Sequence, residues 1–230
     1  MFKIDIKTIR ETRQSFNYAA ARNSGFDDKQ INVKAMNRVQ REMGLSRQEV
    51  LIEAKINPKF AKILSMYTAK NSSRQGSLDE KIIIEGVANY LSRYGILIEN
   101  YGTNDKVPIR GTELVLPRKE AKKKYEKNKM MKSIDFGGLI CDDIRIEGFA
   151  KVCIGKGGHQ DNVFHEAAEF MKWAKEFGKS NVIYTVLLDT DQDTIVADLK
   201  KLKESLGKNN IWVVNHVQLQ EQLISLKKEN

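Results

Sequence analysis

Residues 133–154 read SIDFGGLICDDIRIEGFAKVCI, and this stretch decides the fold. Two runs rich in apolar and β-branched residues, Ile134 to Ile140 and Ile144 to Ile154, are separated by Asp142–Asp143, residue types that favour a tight turn. The spacing predicts an antiparallel hairpin. Strand side chains alternate, so Ile144, Ile146, Ala150, Val152 and Ile154 fall on one face and Arg145, Glu147, Phe149, Lys151 and Cys153 on the other. The expectation is one core face and one face that presents a glutamate and a lysine. At about 6.6 Å per two residues, Glu147 and Lys151 stand roughly 13 Å apart. Pairing through the turn brings Asp135 beside the Lys151 end of the second strand. A carboxylate and an ammonium then converge at one point, where carboxylates can hold a hard cation such as Mg²⁺ and a lysine can offset charge developing on a phosphate.

Downstream, the loop GKGGHQDN (155–162) leads into a helix from Gln160 to Phe177, a strand at NVIYTVLLD (181–189), a helix from Thr194 to Leu206, a strand at IWVVN (211–215) and a closing helix. Upstream, SLDEKIIIEGVANYLSRYG (77–95) reads as a helix stopped by Gly95, and ILIEN (96–100) and GTELVLP (111–117) read as short strands. The fold class expected is α/β, a mixed central sheet flanked by helices on both faces. In the helix after the glycine loop, Phe164, Ala167, Ala168, Phe170, Met171 and Trp173 recur at helical spacing, the mark of core packing. His165 reads as a helix-surface residue and His216 as structural.

The first part of the chain is different. Val33, Met36, Val39, Met43 and Leu45 mark one helical stretch and Val50, Leu51, Ala54 and Ile56 another, with Ser46 and Glu49 placed for a capping box between them. These stretches read either as a helix-turn-helix or as a helical subdomain packed on itself. KNSSRQGS (70–77) is the candidate boundary, which divides the chain into an N-terminal helical subdomain, 1–75, and a core, 76–230.

Composition narrows the function. The 230 residues are 41% hydrophobic with only three prolines, so disorder and collagen-like repeats are excluded. Two cysteines make no disulfide framework, no His/Cys spacing resembles a zinc site, and no apolar run suits a leader or a membrane span. A reducing cytoplasm is the expected home, with no membrane partner. The loop at 155–162 lacks the spacing of a phosphate-binding P-loop. The 39 Lys and Arg against 30 Asp and Glu leave a net charge of +9, suited to a polyanion such as DNA. Part of that excess sits in RKEAKKKYEKNKMMK (118–132), just upstream of Asp135, which nominates Lys122, Lys123, Lys124 and Lys127 for phosphate contact. Lys156, His159 and Gln160 open a helix N-terminus, where backbone N–H groups favour anions, and Arg74 and Gln75 stand just before the core helix.

On these residues the chain resembles the PD-(D/E)XK nuclease superfamily, and within it the type II restriction endonucleases, over roughly Ser77 to Asn215. Asp135, followed by Phe-Gly-Gly, matches the aspartate of the first motif, and Phe149-Ala150-Lys151 matches the (D/E)XK tripeptide. The resemblance implies a restriction-endonuclease-like core, a Mg²⁺ cofactor, and cleavage of double-stranded DNA at a specific short site by a homodimer. Its departure is Phe149, which stands where the family has an acid. Either Glu166 on the following helix supplies the missing carboxylate, or Glu147 on the same strand does, or the site is degenerate and the chain binds DNA without cutting it; Glu166 is preferred. The helix that opens the core often contributes a further metal-proximal glutamate in this family. Glu80 and Glu85 cannot both serve, and Glu85 is the choice. A repair or recombination nuclease of the same superfamily is the remaining alternative, and the N-terminal helices would clamp DNA or dimerise.

Overall fold

The computed structural model describes residues 1–26, 32–68, 72–102, 106–153 and 160–229, with the side chains of Ile6, Arg10, 72–77, Gln160 and Asp161 outside that description. Two compact units divide the chain: Asp5–Asp79, and Glu80–Asn230 together with Met1–Ile4.

Among the described residues the first unit is helical, with α1 (Ile6–Asn23), α2 (Val33–Met43), α3 (Arg47–Ile56) and α4 (Pro58–Thr68). Its helix ends carry the expected signals. Asn32 caps α2, Gly44 ends it with φ +66°, and the Ser46/Glu49 capping box starts α3. Phe26, Met36, Val50, Ala54, Ala61 and Leu64 form its core. Met36, Val50 and Ala54 thus fall inside as their spacing implies, whereas Val33, Met43 and Ile56 remain exposed.

The next helix, α5 (Ser72–Leu91), runs through most of the Ser- and Gly-rich stretch read as a boundary, so the division falls inside a helix rather than at a loop. Then follow β1 (Leu97–Asn100), the two-residue strands β2 (Val107–Pro108) and β3 (Val115–Leu116), α6 (Arg118–Lys124), β4 (Phe136–Cys141), β5 (Ile144–Cys153), α7 (Gln160–Phe177), β6 (Val182–Thr190), α8 (Asp193–Leu206), β7 (Ile211–Val214) and α9 (His216–Glu229). The main sheet is mixed, in the order β1-β4-β5-β6-β7. β1, β4 and β5 pair antiparallel, while β5, β6 and β7 pair parallel through the crossover helices α7 and α8. This is an α/β fold with a five-stranded mixed sheet flanked by helices. Among the described residues no helix is long and apolar enough to cross a membrane.

Strand β5 is therefore central, and this corrects the expectation of one core face and one charged face. Phe149, Tyr184, Val186 and Leu188 are buried in a cluster with Val163, Ala167 and Phe170 of α7, while Ile146, Ala150, Ile183 and Leu187 are buried on the opposite side. Alternation looks the same in a half-exposed strand and in a covered one that carries two charges. Glycine makes the hairpin's close approaches possible. A Cβ at Gly138 would lie 1.8 Å from the Leu97 carbonyl oxygen across β1, and one at Gly148 would lie 2.0 Å from the Phe136 ring.

The first four residues are tied into the α/β unit. The Phe2 backbone N–H donates to the Gln220 side-chain oxygen at 2.8 Å, the Gln220 amide donates back to the Phe2 carbonyl at 2.8 Å, and the Ile4 N–H donates to His216 Nε2 at 3.3 Å. The same imidazole meets Asp189 through Nδ1 at 2.6 Å. Because Nε2 accepts from Ile4, Nδ1 carries the proton, and His216 is the structural residue its sequence context implies.

Candidate active site

Asp135 immediately precedes β4 and is fixed from both sides. Its N–H donates to the Gly148 carbonyl at 2.9 Å, its carbonyl accepts from the Tyr101 N–H at 2.8 Å, and its Oδ2 accepts from the Ala150 N–H at 2.9 Å. The hairpin register that pairs Phe136 with Gly148 makes this possible, because it draws the residue before β4 alongside Phe149, Ala150 and Lys151. The predicted convergence of Asp135 with the Lys151 end of β5 is present.

The group facing them comes from α5. Glu80 Oε1 accepts from Lys151 Nζ at 2.5 Å, with the two side chains only 13% and 14% exposed. Glu80 is in helical register with Ile84, Val87 and Leu91, all buried, so it rides on the inward face of its helix. Glu85 rides on the outward face, where it makes an exposed pair with Lys81 at 3.5 Å. The acid that α5 brings to the lysine is therefore Glu80 and not Glu85. The signal was present in the sequence as the spacing from Glu80 to that apolar stripe.

The electrostatics follow from burial. Asp135 is 6% exposed, and loss of water together with the nearby Glu80 carboxylate pushes its pKa up to about 7 against the opposing pull of Lys151, the Ala150 N–H and Lys132. Burial alone would depress Lys151, but Glu80, Asp135 and Glu166 outweigh it and hold the ammonium above its ordinary value. Lys151 stays cationic at neutral pH while Asp135 is poised between its two forms. Nζ also lies 5.4 Å from the Phe149 ring centroid.

Phe149 itself faces the core beneath α7, 1% exposed, with its ring stacked on Phe170 at 6.3 Å. A carboxylate at this position would be buried in a cluster with Ile134, Val163 and Ala167. Of its two proposed replacements, Glu166 lies on α7 near enough for its charge to raise Lys151. Glu147 is engaged elsewhere. Its Oε1 accepts from Lys106 at 3.0 Å, and Lys106 also donates to the Tyr101 hydroxyl at 3.1 Å. That second cluster, built on Glu147 further back along β5, carried no signal in the sequence.

Among the described residues no group of three or more His, Cys, Asp or Glu could hold a metal ion. Two carboxylates do flank Lys151, from Asp135 and Glu80, and a Mg²⁺ site of one or two carboxylates completed by water suits that set. Repulsion between Glu80 and Asp135 is the electrostatic condition that a bound cation relieves.

The candidate DNA contacts divide. Lys122, Lys123, Lys124 and Lys127 are all exposed on α6 and the turn after it, and Lys124 is paired with Glu120 at 2.7 Å. Buried Ala121 anchors α6 to Val107 and Ile109. From there the chain returns along 106–110, where Met131 N–H donates to the Pro108 carbonyl and Ile134 N–H to the Lys106 carbonyl, and enters Asp135. Lys156 and His159 lie outside the described residues, as do the side chains of Gln160, Arg74 and Gln75.

No protein-family model, curated protein or solved structure matches the chain.

Proposed function

We propose that the chain is a Mg²⁺-dependent endonuclease with a restriction-endonuclease-like core, which hydrolyses phosphodiester bonds in double-stranded DNA at a specific short site. The observation that carries this reading is the meeting of Asp135, Glu80 and Lys151, from three separate elements, at the end of β5. Asp135 and Glu80 would hold the cation, with Glu166 as the further carboxylate in reach of Lys151's field. Bound Mg²⁺ would supply charge stabilisation at the scissile phosphate and an activated water. Lys151, held cationic by its acidic neighbours, orients the attacking water or offsets charge on a phosphate oxygen. The exposed lysines of α6 and the turn that follows it would take phosphates beside the site. The same reading gives the chain a cytoplasmic place of action.

The test is incubation of supercoiled plasmid with the protein in Mg²⁺ and in EDTA. Discrete fragments in Mg²⁺ alone support a site-specific enzyme, and smears from DNA ends support a repair or recombination nuclease of the same kind. DNA binding that is equal in both buffers, without cleavage on many sequences, supports a binder with a degenerate site, the second reading favoured by Phe149.

A further inference from the structure

Asp135 stands one residue before β4, and the end of a ladder opens more readily than its middle, yet its carboxylate is aimed onto a single backbone N–H, that of Ala150. Its main chain is bonded to Tyr101 on one side and to Gly148 on the other, and the N–H of its neighbour Ile134 donates to the Lys106 carbonyl at 2.8 Å. Tyr101, Lys106 and Glu147, the residue before Gly148, therefore all adjoin Asp135 through the backbone. Their side chains meet as well. Lys106 Nζ donates to Glu147 Oε1 at 3.0 Å and to the Tyr101 hydroxyl at 3.1 Å, and it lies 4.2 Å from the centroid of the Tyr101 ring. Glu147 is paired across the hairpin with Gly137, where a Cβ would lie 2.3 Å from the Tyr101 hydroxyl oxygen, so the first glycine after Phe136 is what lets the phenol reach. Burial works against a charge on Lys106, but the Tyr101 hydroxyl and the Glu147 carboxylate outweigh it and hold the ammonium above its ordinary value. The contact is thus a charge-assisted bond between side chains that are 31% and 17% exposed.

We infer that Tyr101, Lys106 and Glu147 are positioning residues, a brace that pins the backbone at Ile134 and Asp135 and so keeps the Asp135 carboxylate on the Ala150 N–H, beside Glu80 and Lys151. The circuit closes on itself: Tyr101 N–H to the Asp135 carbonyl, Asp135 N–H to the Gly148 carbonyl, and Glu147 through Lys106 back to the Tyr101 hydroxyl. Its members act through Asp135 and not on a substrate. Only the catalytic consequence of the brace rests on the nuclease reading, since the place of the carboxylate is read without Mg²⁺ or DNA.

The experiment is amide hydrogen exchange of the full chain, followed by NMR at Ala150, with the buried Val186 and Leu187 of β6 as references for global opening. Asp135→Ala sets the rate for a carboxylate that is gone. Lys106→Met and the isosteric Glu147→Gln are each expected to speed Ala150 exchange by at least about tenfold, with the reference amides and the circular dichroism spectrum unchanged. Lys106→Arg, which keeps the charge, retains the protection. In the Asp135→Ala background Lys106→Met adds nothing, because both act through the same bond. On plasmid, Glu147→Gln lowers kcat by about ten- to a hundredfold and leaves KM for DNA unchanged. Ala150 protection untouched by both Lys106→Met and Glu147→Gln overturns the brace. So does faster exchange that spreads equally to Val186 and Leu187, or that adds in full to the effect of Asp135→Ala, because the three residues would then serve general stability alone. A natural chain that cuts nothing while Ala150 responds as expected overturns only the nuclease reading.

Discussion

Lys151 Nζ lies 2.5 Å from Glu80 Oε1, a bond that joins the end of β5 to the inward face of α5. Both groups are mostly withdrawn from water, and the Glu80 carboxylate helps hold the Lys151 ammonium above its ordinary value against burial. Asp135 lies within the field of both, raised by one and lowered by the other.

Removing one partner separates these effects. Glu80→Gln leaves a mostly buried lysine without its carboxylate and is expected to cost about 2–4 kcal/mol in a denaturant titration. It also removes the charge that raises Asp135, so the Asp135 pKa falls from about 7. Lys151→Met moves it the other way, above 7, because the ammonium that lowers it is gone. Carboxyl chemical shifts followed by pH titration check both directions.

Stability should respond to pH through Asp135. In the folded chain it keeps its proton to about pH 7, against 3.8 for an ordinary aspartate. Between those values the native state binds more protons than the unfolded chain, so this residue's contribution falls as pH rises and is lowest above pH 7. Asp135→Asn should flatten that slope, by an amount on the order of a few kcal/mol across the window. Added Mg²⁺ should raise the melting temperature of the natural chain at pH 8, and should not do so for Asp135→Asn.

Placing an acid at position 149 should fail. Phe149→Glu places a carboxylate beneath α7 against the Phe170 region, removes an aromatic pair, and is expected to destabilise the α/β unit by at least about 3 kcal/mol without raising any nuclease activity. A gain in cleavage rate from this substitution would mean that position 149 does reach the cation.

The lysines of α6 and its following turn should act through charge alone. Changing Lys122, Lys123 and Lys127 to Gln should weaken DNA binding similarly on unrelated sequences. The slope of log affinity against log salt should flatten by about 0.9 for each phosphate that is no longer neutralised. Lys124, which already neutralises Glu120, should matter less. Affinities measured across a salt series check this.

Much of the α/β unit was legible because its signals are local. The alternation either side of Asp142–Asp143 marked the hairpin, and α7 spans the Gln160–Phe177 expected from its apolar spacing. The meeting of Asp135 with Lys151 followed from that hairpin. What the sequence concealed depends on layers. Phe149 reads as one member of an outward face until α7 is laid over it, and Glu147 reads as a partner of Lys151 until Lys106 arrives from forty-one residues away. Glu80 was within reach of the same reasoning, since its register with Ile84, Val87 and Leu91 distinguishes it from Glu85. The helical subdomain's inward positions were legible at Met36, Val50 and Ala54. The exposed Ile63, Met66 and Tyr67 of α4 were not, because α4 is apolar on both sides and periodicity alone does not say which side is covered.

Whether Lys151 acts beside a cation held by Asp135 and Glu80 is decided by plasmid cleavage with the natural chain and with Lys151→Ala, each in Mg²⁺ and in EDTA. The expected result is discrete fragments from the natural chain in Mg²⁺ only, and a loss of at least about a hundredfold in Lys151→Ala with DNA binding retained. Cleavage by Lys151→Ala at the natural rate, or the absence of any cleavage by the natural chain in Mg²⁺, would contradict that role for Lys151.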